Sequence, residues 1–125
     1  TDIMAHTGNF EAGIKAVEVI DEEVGNIMNM VLKHNATLII TSDHGHVEEM
    51  LNPYTGERET KHVPSLVPIY VVGERFRRIK EKAEINEIED QAMGFLSDVA
   101  PTILDLMGIS KPKEMTGVSV LKILR

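Results

Sequence analysis

The 125-residue chain contains no cysteine, which excludes disulfides, thiolate nucleophiles and every zinc or iron–sulfur site built on thiolates. Any metal held here must rest on His, carboxylate or hydroxyl groups. A basic excess is also lacking: 13 Lys and Arg stand against 20 Asp and Glu, a net charge of -7, with a pI near 5.2. Such a surface has no general attraction for the phosphates of nucleic acids or acidic lipids, so neither a nucleic acid nor a membrane is expected as a partner. No apolar run approaches the roughly 18 residues that mark a membrane span. The N-terminus shows no basic segment followed by an apolar one, and a cytoplasmic location is the default expectation.

What is present fits a globular chain. Hydrophobic residues make up 42% and the mean hydropathy is -0.08, which argues against wholesale disorder. The length predicts one compact domain. The sequence opens TDIMAHTGNF without an initiating Met, which suits a piece of a longer protein.

Glu11 to about Lys33 reads as one helix, because Ala12, Ala16, Val19, Ile20, Val24, Ile27, Met28 and Val31 recur near helical spacing. Asn9 is placed to cap it, and Lys33 and His34 suit the negative end of its dipole. Ala36 to Thr41 is a continuous apolar strand of the kind covered on both faces by helices. Ser42 to His46 (SDHGH) leaves its C-terminal end, where open α/β sheets collect ligands. Asn52 to Gly56 forms a turn, and a loop runs on through Val63. Pro68 to Val72 supplies a second strand, with Pro68 at its beginning or on an edge because it cannot donate to a ladder. Glu74 to Asp90 is charge-rich and reads as a solvated loop or insertion. Ser97 to Met107 is a second helix closed by Gly108, and Ser119 to Leu124 a terminal helical turn or two. The expected class is α/β, with helices packed on a mostly parallel sheet. Two strands make that sheet thin, which a larger parent sheet would remedy.

Chemistry concentrates in the loops. His6, His44, His46 and His62 lie in or beside segments rich in Asp and Gly. Asp2 and His6 are four residues apart, sharing a face if helical and able to converge in a tight loop as well. Asp43 and His44 sit together at a strand end. Imidazole and carboxylate donors of this kind suit Mn²⁺, Zn²⁺ or Fe²⁺, and a dinuclear site would neutralise phosphoryl oxygens and activate a nucleophile. Each element also has a plainer reading. An Asp-x-x-x-His pair alone is common by chance, His62 alone reads as an exposed or hydrogen-bonded histidine, His34 ends a helix, and Met28 and Met30 belong to a core.

Four ordered blocks go further: AHTGNFEAGIKAVEVIDEEVG at 5–25, TLIITSDHGHVEEM at 37–50, KHVPSLVPIYVVG at 61–73 and LSDVAPTILDLMGISKPKEMTGVSV at 96–120. They resemble the C-terminal part of cofactor-independent phosphoglycerate mutases, a family of the alkaline phosphatase superfamily. The resemblance spans nearly the whole chain and is weakest at 74–92. It implies a partial alkaline-phosphatase-like domain in which Asp2, His6 and His62 ligate one Mn²⁺ while Asp43 and His44 ligate a second. Two Mn²⁺ would serve the complete enzyme and one or none the 125 residues alone, with Zn²⁺ or another divalent ion left open. The serine nucleophile, a further aspartate ligand and an inserted substrate-binding domain would come from an N-terminal segment of the same protein.

The implied reaction interconverts 3-phosphoglycerate and 2-phosphoglycerate through a phosphoserine. The 125 residues alone would then be inactive. Alternatives are a phosphomonoester hydrolase on the same metal scaffold and a non-catalytic metal-binding partner domain. Two positions depart from the family pattern. Ala5 replaces the usual Gly before the histidine, and His46 replaces the Asn of Asp-His-Gly-Asn. His46 has three readings: a donor to phosphate, support behind a metal ligand, or a solvent-facing residue. Arg58 and Lys61 either assist an anionic substrate or are surface charge.

Overall fold

The computed structural model describes residues 1–89 and 91–124. Its first element is a short helix, α1 (Asp2–His6). Asn9 then caps the long helix α2 (Phe10–Lys33), its side chain accepting from the Ala12 N–H at 3.1 Å, one of the amides that a helix start leaves free. The other end closes on Asn35, whose φ of 51° lies in the left-handed region. The Asn35 N–H then donates to Leu32 and the Ala36 N–H to Val31, so the last carbonyls find partners. The half-buried face of α2 carries Ala12, Ala16, Val24, Met28 and Val31, whereas Val19, Ile20 and Ile27, expected on the same stripe, are exposed.

Strand β1 (Leu38–Thr41) pairs with β2 (Ile69–Val72), and Pro68 precedes the first residue of β2 as its missing N–H requires. The expected mostly parallel sheet is not what the two strands form: among the described residues the sheet has two strands, paired antiparallel with Leu38 opposite Val72 and Thr41 opposite Ile69. The reason lies in the connection. A parallel pair needs a crossover, usually helical, but the segment between the strands holds only a 3₁₀ turn, Val47–Glu49, and folds back on itself through antiparallel bridges Gly45–Val63 and Leu51–Arg58. The result is a long, irregular hairpin arm. Between the pairs Thr41–Ile69 and Gly45–Val63 one side advances four residues and the other six, so the pairing slips at the loop that carries the candidate ligands.

The chain divides into two compact units, Thr1–Glu74 and Arg75–Arg125. In the first, Ala5 and Met50 are the buried apolar centre, with Gly13 of α2 against the Met50 sulfur. The second contains α3 (Lys82–Glu89) and α4 (Val99–Leu106). Helix α3 replaces part of the loop expected over 74–90, because that run has no Gly or Pro and is rich in Glu, Arg, Lys and Ile, which tolerate a helix. Asp90, which ends the run, lies outside the described residues. Gly108, with φ 69°, ends α4, and the Gly108 and Ile109 amides donate back to Asp105 and Leu104. The C-terminal stretch forms a hydrogen-bonded turn, with the Ile123 and Leu124 amides on the Val120 carbonyl, in place of a regular helix. Among the described residues no helix is long and apolar enough to cross a membrane.

The second unit is tied together by Asp98, which is 5% exposed. Its carboxylate accepts from the Phe95 N–H at 2.9 Å and the Val118 N–H at 2.8 Å, and its carbonyl accepts from the Thr102 hydroxyl at 2.6 Å. That hydroxyl in turn accepts from the Val120 N–H at 3.0 Å. The C-terminal segment is thus stitched to the start of α4 by groups that would otherwise be buried without partners. The two backbone donors, Phe95 first and Val118 second, hold the Asp98 carboxyl below its ordinary pKa. A lowered folded-state pKa means that the ionised form stabilises the fold, fully above about pH 4 and progressively less as the pH falls through the folded value. Asp98→Asn is therefore expected to melt below the wild type at pH 7, with the gap narrowing as the pH falls below about 4; thermal melts from pH 7 downward test it, and a gap independent of pH would contradict it.

Candidate metal centre

Four side chains meet at one end of the first unit. Helix α1 sets Asp2 and His6 one turn apart on one face, with Ala5 fully buried beside them, so its methyl group has a place in the packing. His46 comes from the loop after β1 and His62 from the returning arm of the hairpin. One ligand-type atom from each of Asp2, His6, His46 and His62 lies within 4.8 Å of all the others.

The tautomer of His6 follows from its contacts. Its Nδ1 stands 2.8 Å from the Thr60 carbonyl, which can only accept, so Nδ1 carries the proton and Nε2 offers its lone pair. That Nε2 is 3.3 Å from Nε2 of His62 and 3.5 Å from Oδ2 of Asp2, and Nε2 of His62 is 3.4 Å from Oδ1 of Asp2. Ligands about 2.1 Å from a tetrahedral ion stand about 3.4 Å apart. The spacing and the donor set, nitrogen lone pairs facing a carboxylate, both fit a divalent cation. The Asp2 carboxyl is held below the ordinary carboxylate range, first by its hydrogen bond from His46 and then, against the cost of desolvation, by the neighbouring imidazoles.

The other expected residues are placed differently. Asp43 and His44 stay outside the cluster of four and face one another at 3.6 Å, Asp43 largely in solvent. The His44 ring stacks on His62 with centroids 3.6 Å apart, so the pair adjoins the cluster through a ring face. Arg58 lays its aliphatic stem against Gly8, and Lys61 is exposed. No hydrogen bond or ion pair joins the head group of Arg58 or Lys61 to the cluster among the described residues. His46, whose role the sequence left open, is 4% exposed and does not face solvent. Thr60 escaped sequence reasoning altogether, since it acts through a carbonyl that every residue possesses.

The superfamily profile of metalloenzymes matches residues 1–111. The chain belongs to the metalloenzyme superfamily. It is also 42% identical over 121 residues to a 2,3-bisphosphoglycerate-independent phosphoglycerate mutase of Clostridium kluyveri, covering 97% of this chain and 22% of that protein. The correspondingly named proteins of Clostridioides difficile and Francisella tularensis subsp. novicida are 44% and 40% identical over 120 residues, each covering 96% of this chain and 22% of the relative. The chain thus spans about a fifth of the length of these relatives.

In this member of the metalloenzyme superfamily the backbone between His44 and His46 is held tightly. Gly45 is buried and pairs with Val63, its carbonyl accepting from the Val63 N–H at 3.0 Å. A Cβ at Gly45 would run into the Glu48 carboxylate, Ser65 and the Val63 carbonyl. The Glu48 carboxylate accepts from the His46 N–H at 2.9 Å. Burial alone would raise the Glu48 pKa, but its own N–H and that of His46 outweigh it and leave the group below its ordinary value. Gly45→Ala must therefore push the two hairpin arms apart. The expected cost is about 1–3 kcal/mol, read as a lower melting temperature together with weaker divalent-metal binding; unchanged binding would show that the arms need not stay in register.

Proposed function

We propose that the chain is the C-terminal, metal-binding portion of a phosphoglycerate mutase that interconverts 3-phosphoglycerate and 2-phosphoglycerate through a phosphoserine. The observation that carries this reading is the convergence of Asp2, His6 and His62 in ion-sized spacing, in a chain 40% to 44% identical to proteins named as such mutases. These three residues would hold one divalent ion. Asp43 and His44, adjacent at the end of β1, would give two ligands to a second and need others from outside the 125 residues. Mixed imidazole and carboxylate donors suit Mn²⁺, with Zn²⁺ also accommodated.

When bound, such ions supply positive charge against the phosphoryl oxygens and toward an attacking hydroxyl. The chain's own residues set where that charge sits. Asp2 lends one negative charge, while Thr60 fixes His6 in the tautomer whose Nε2 faces inward. His44, stacked on His62, limits how far either ring can turn. The serine that accepts the phosphoryl group and the surface that recognises glycerate would come from the rest of the protein, whose length the relatives indicate.

The test is conversion of 3-phosphoglycerate by the complete protein, followed by phosphorus NMR. Isomerisation is expected, with His62→Ala lowering kcat/KM by about 10²-fold or more while the protein stays folded. The 125 residues alone should bind a divalent ion and convert nothing. Release of inorganic phosphate without isomerisation would assign a hydrolase instead, and metal binding without either reaction in the complete protein would leave a non-catalytic domain.

A further inference from the structure

His46 differs from its three neighbours in burial: its side chain is 3% exposed, against 49%, 47% and 49% for Asp2, His6 and His62. Its contact with Asp2 is also of another kind. Nδ1 of His46 stands 2.8 Å from Oδ1 of Asp2, a hydrogen-bond length, while the atoms facing one another across the candidate ion site are 3.3 to 3.5 Å apart. An ionised carboxylate can only accept, so Nδ1 carries the proton. Nε2 is then left with its lone pair, buried and without a partner among the described residues. The opposite tautomer would bury an unbonded N–H and set a lone pair against a carboxylate, losing the hydrogen bond as well.

The ring is held from several sides. The His46 N–H is bound by Glu48, and the imidazole meets His6 edge-on at 4.4 Å and His62 at 5.3 Å between centroids. A rigid buried ring therefore aims one N–H at one oxygen of Asp2. That is the arrangement by which a group behind a ligand fixes its orientation. We propose that His46 is a positioning residue of the metal centre, holding Asp2 through an Nδ1–H hydrogen bond and not itself ligating the ion. The proposal rests on the reading of Asp2, His6 and His62 as metal ligands.

Two substitutions separate positioning from ligation. In His46→Asn the amide N–H₂ takes the place of Nδ1 and keeps the donor to Asp2. In His46→Gln the amide reaches the place of Nε2 and gives that donor up. Mn²⁺ affinity, measured by electron paramagnetic resonance of the free ion on the whole chain, should be nearly the same for wild type and His46→Asn. His46→Gln and His46→Ala should bind about 10–100-fold more weakly. A His46→Asn variant as weak as His46→Ala, with His46→Gln retaining affinity, would overturn the proposal in favour of ligation through Nε2. Equal affinity in all four would overturn it in favour of a packing role.

The ring nitrogens give a second readout that needs neither metal nor a folded variant. Nitrogen-15 spectra of the metal-free wild type should show His46 protonated at Nδ1, and protonation at Nε2 alone would overturn the proposal. Failure of the wild type to bind Mn²⁺ would instead overturn the metal-centre reading, and the nitrogen spectra would still report separately on the bond to Asp2.

Discussion

The carboxylate of Asp2 is the charge about which the first unit is arranged. It carries one negative charge at the edge of a buried patch, faced by imidazoles from α1, from the loop after β1 and from the returning hairpin arm. The Asp2 side chain is half exposed, and on its inner side it meets the buried His46, where no water stands in for a hydrogen bond. His46 supplies the hydrogen bond, and the inward nitrogens of His6 and His62 supply a cradle for positive charge. Chain segments distant in sequence thus meet around a single anionic group.

The hairpin makes this convergence possible. A regular antiparallel ladder would carry the ends of β1 and β2 straight outward, but the pairing slips between Thr41–Ile69 and Gly45–Val63. Irregular pairing of this kind re-aims side chains and bends the strand. Here it brings the rings of His44 and His62 face to face and leaves His46 pointing into the patch with Asp2. The carbonyl of Thr60, on the same arm, fixes the ring of His6. Backbone geometry and ligand chemistry are thus coupled: each histidine is oriented by a neighbour that the hairpin places beside it.

The second unit solves a different problem. It has few buried apolar side chains, among them Phe76, Val120 and Leu121, and makes up for this with a buried network around Asp98 and Thr102. Every member of that network is satisfied, and such networks specify one arrangement where a small apolar core would permit several. The two units illustrate two uses of a carboxylate, one gathering imidazoles around a candidate cation site and one binding backbone amides to close a fold.

Local order was written in the sequence. Asn9 starts α2, Gly108 stops α4 and Pro68 marks the edge of β2, because capping, left-handed backbone and a missing donor act within a few residues. The residue types of a candidate metal centre also stand in the sequence, since without cysteine the histidines, carboxylates and hydroxyls remain as donors. The antiparallel sense of the sheet was not legible, because a continuous apolar strand reads the same whichever way its partner runs. Helix α3 was hidden by its charges, which suit a solvated helix as well as a loop. Nor could the sequence place His46 with Asp2 or Thr60 beside His6, contacts separated by 44 and 54 residues. Those depend on how far a hairpin slips as it folds back, and tertiary packing alone decides that distance.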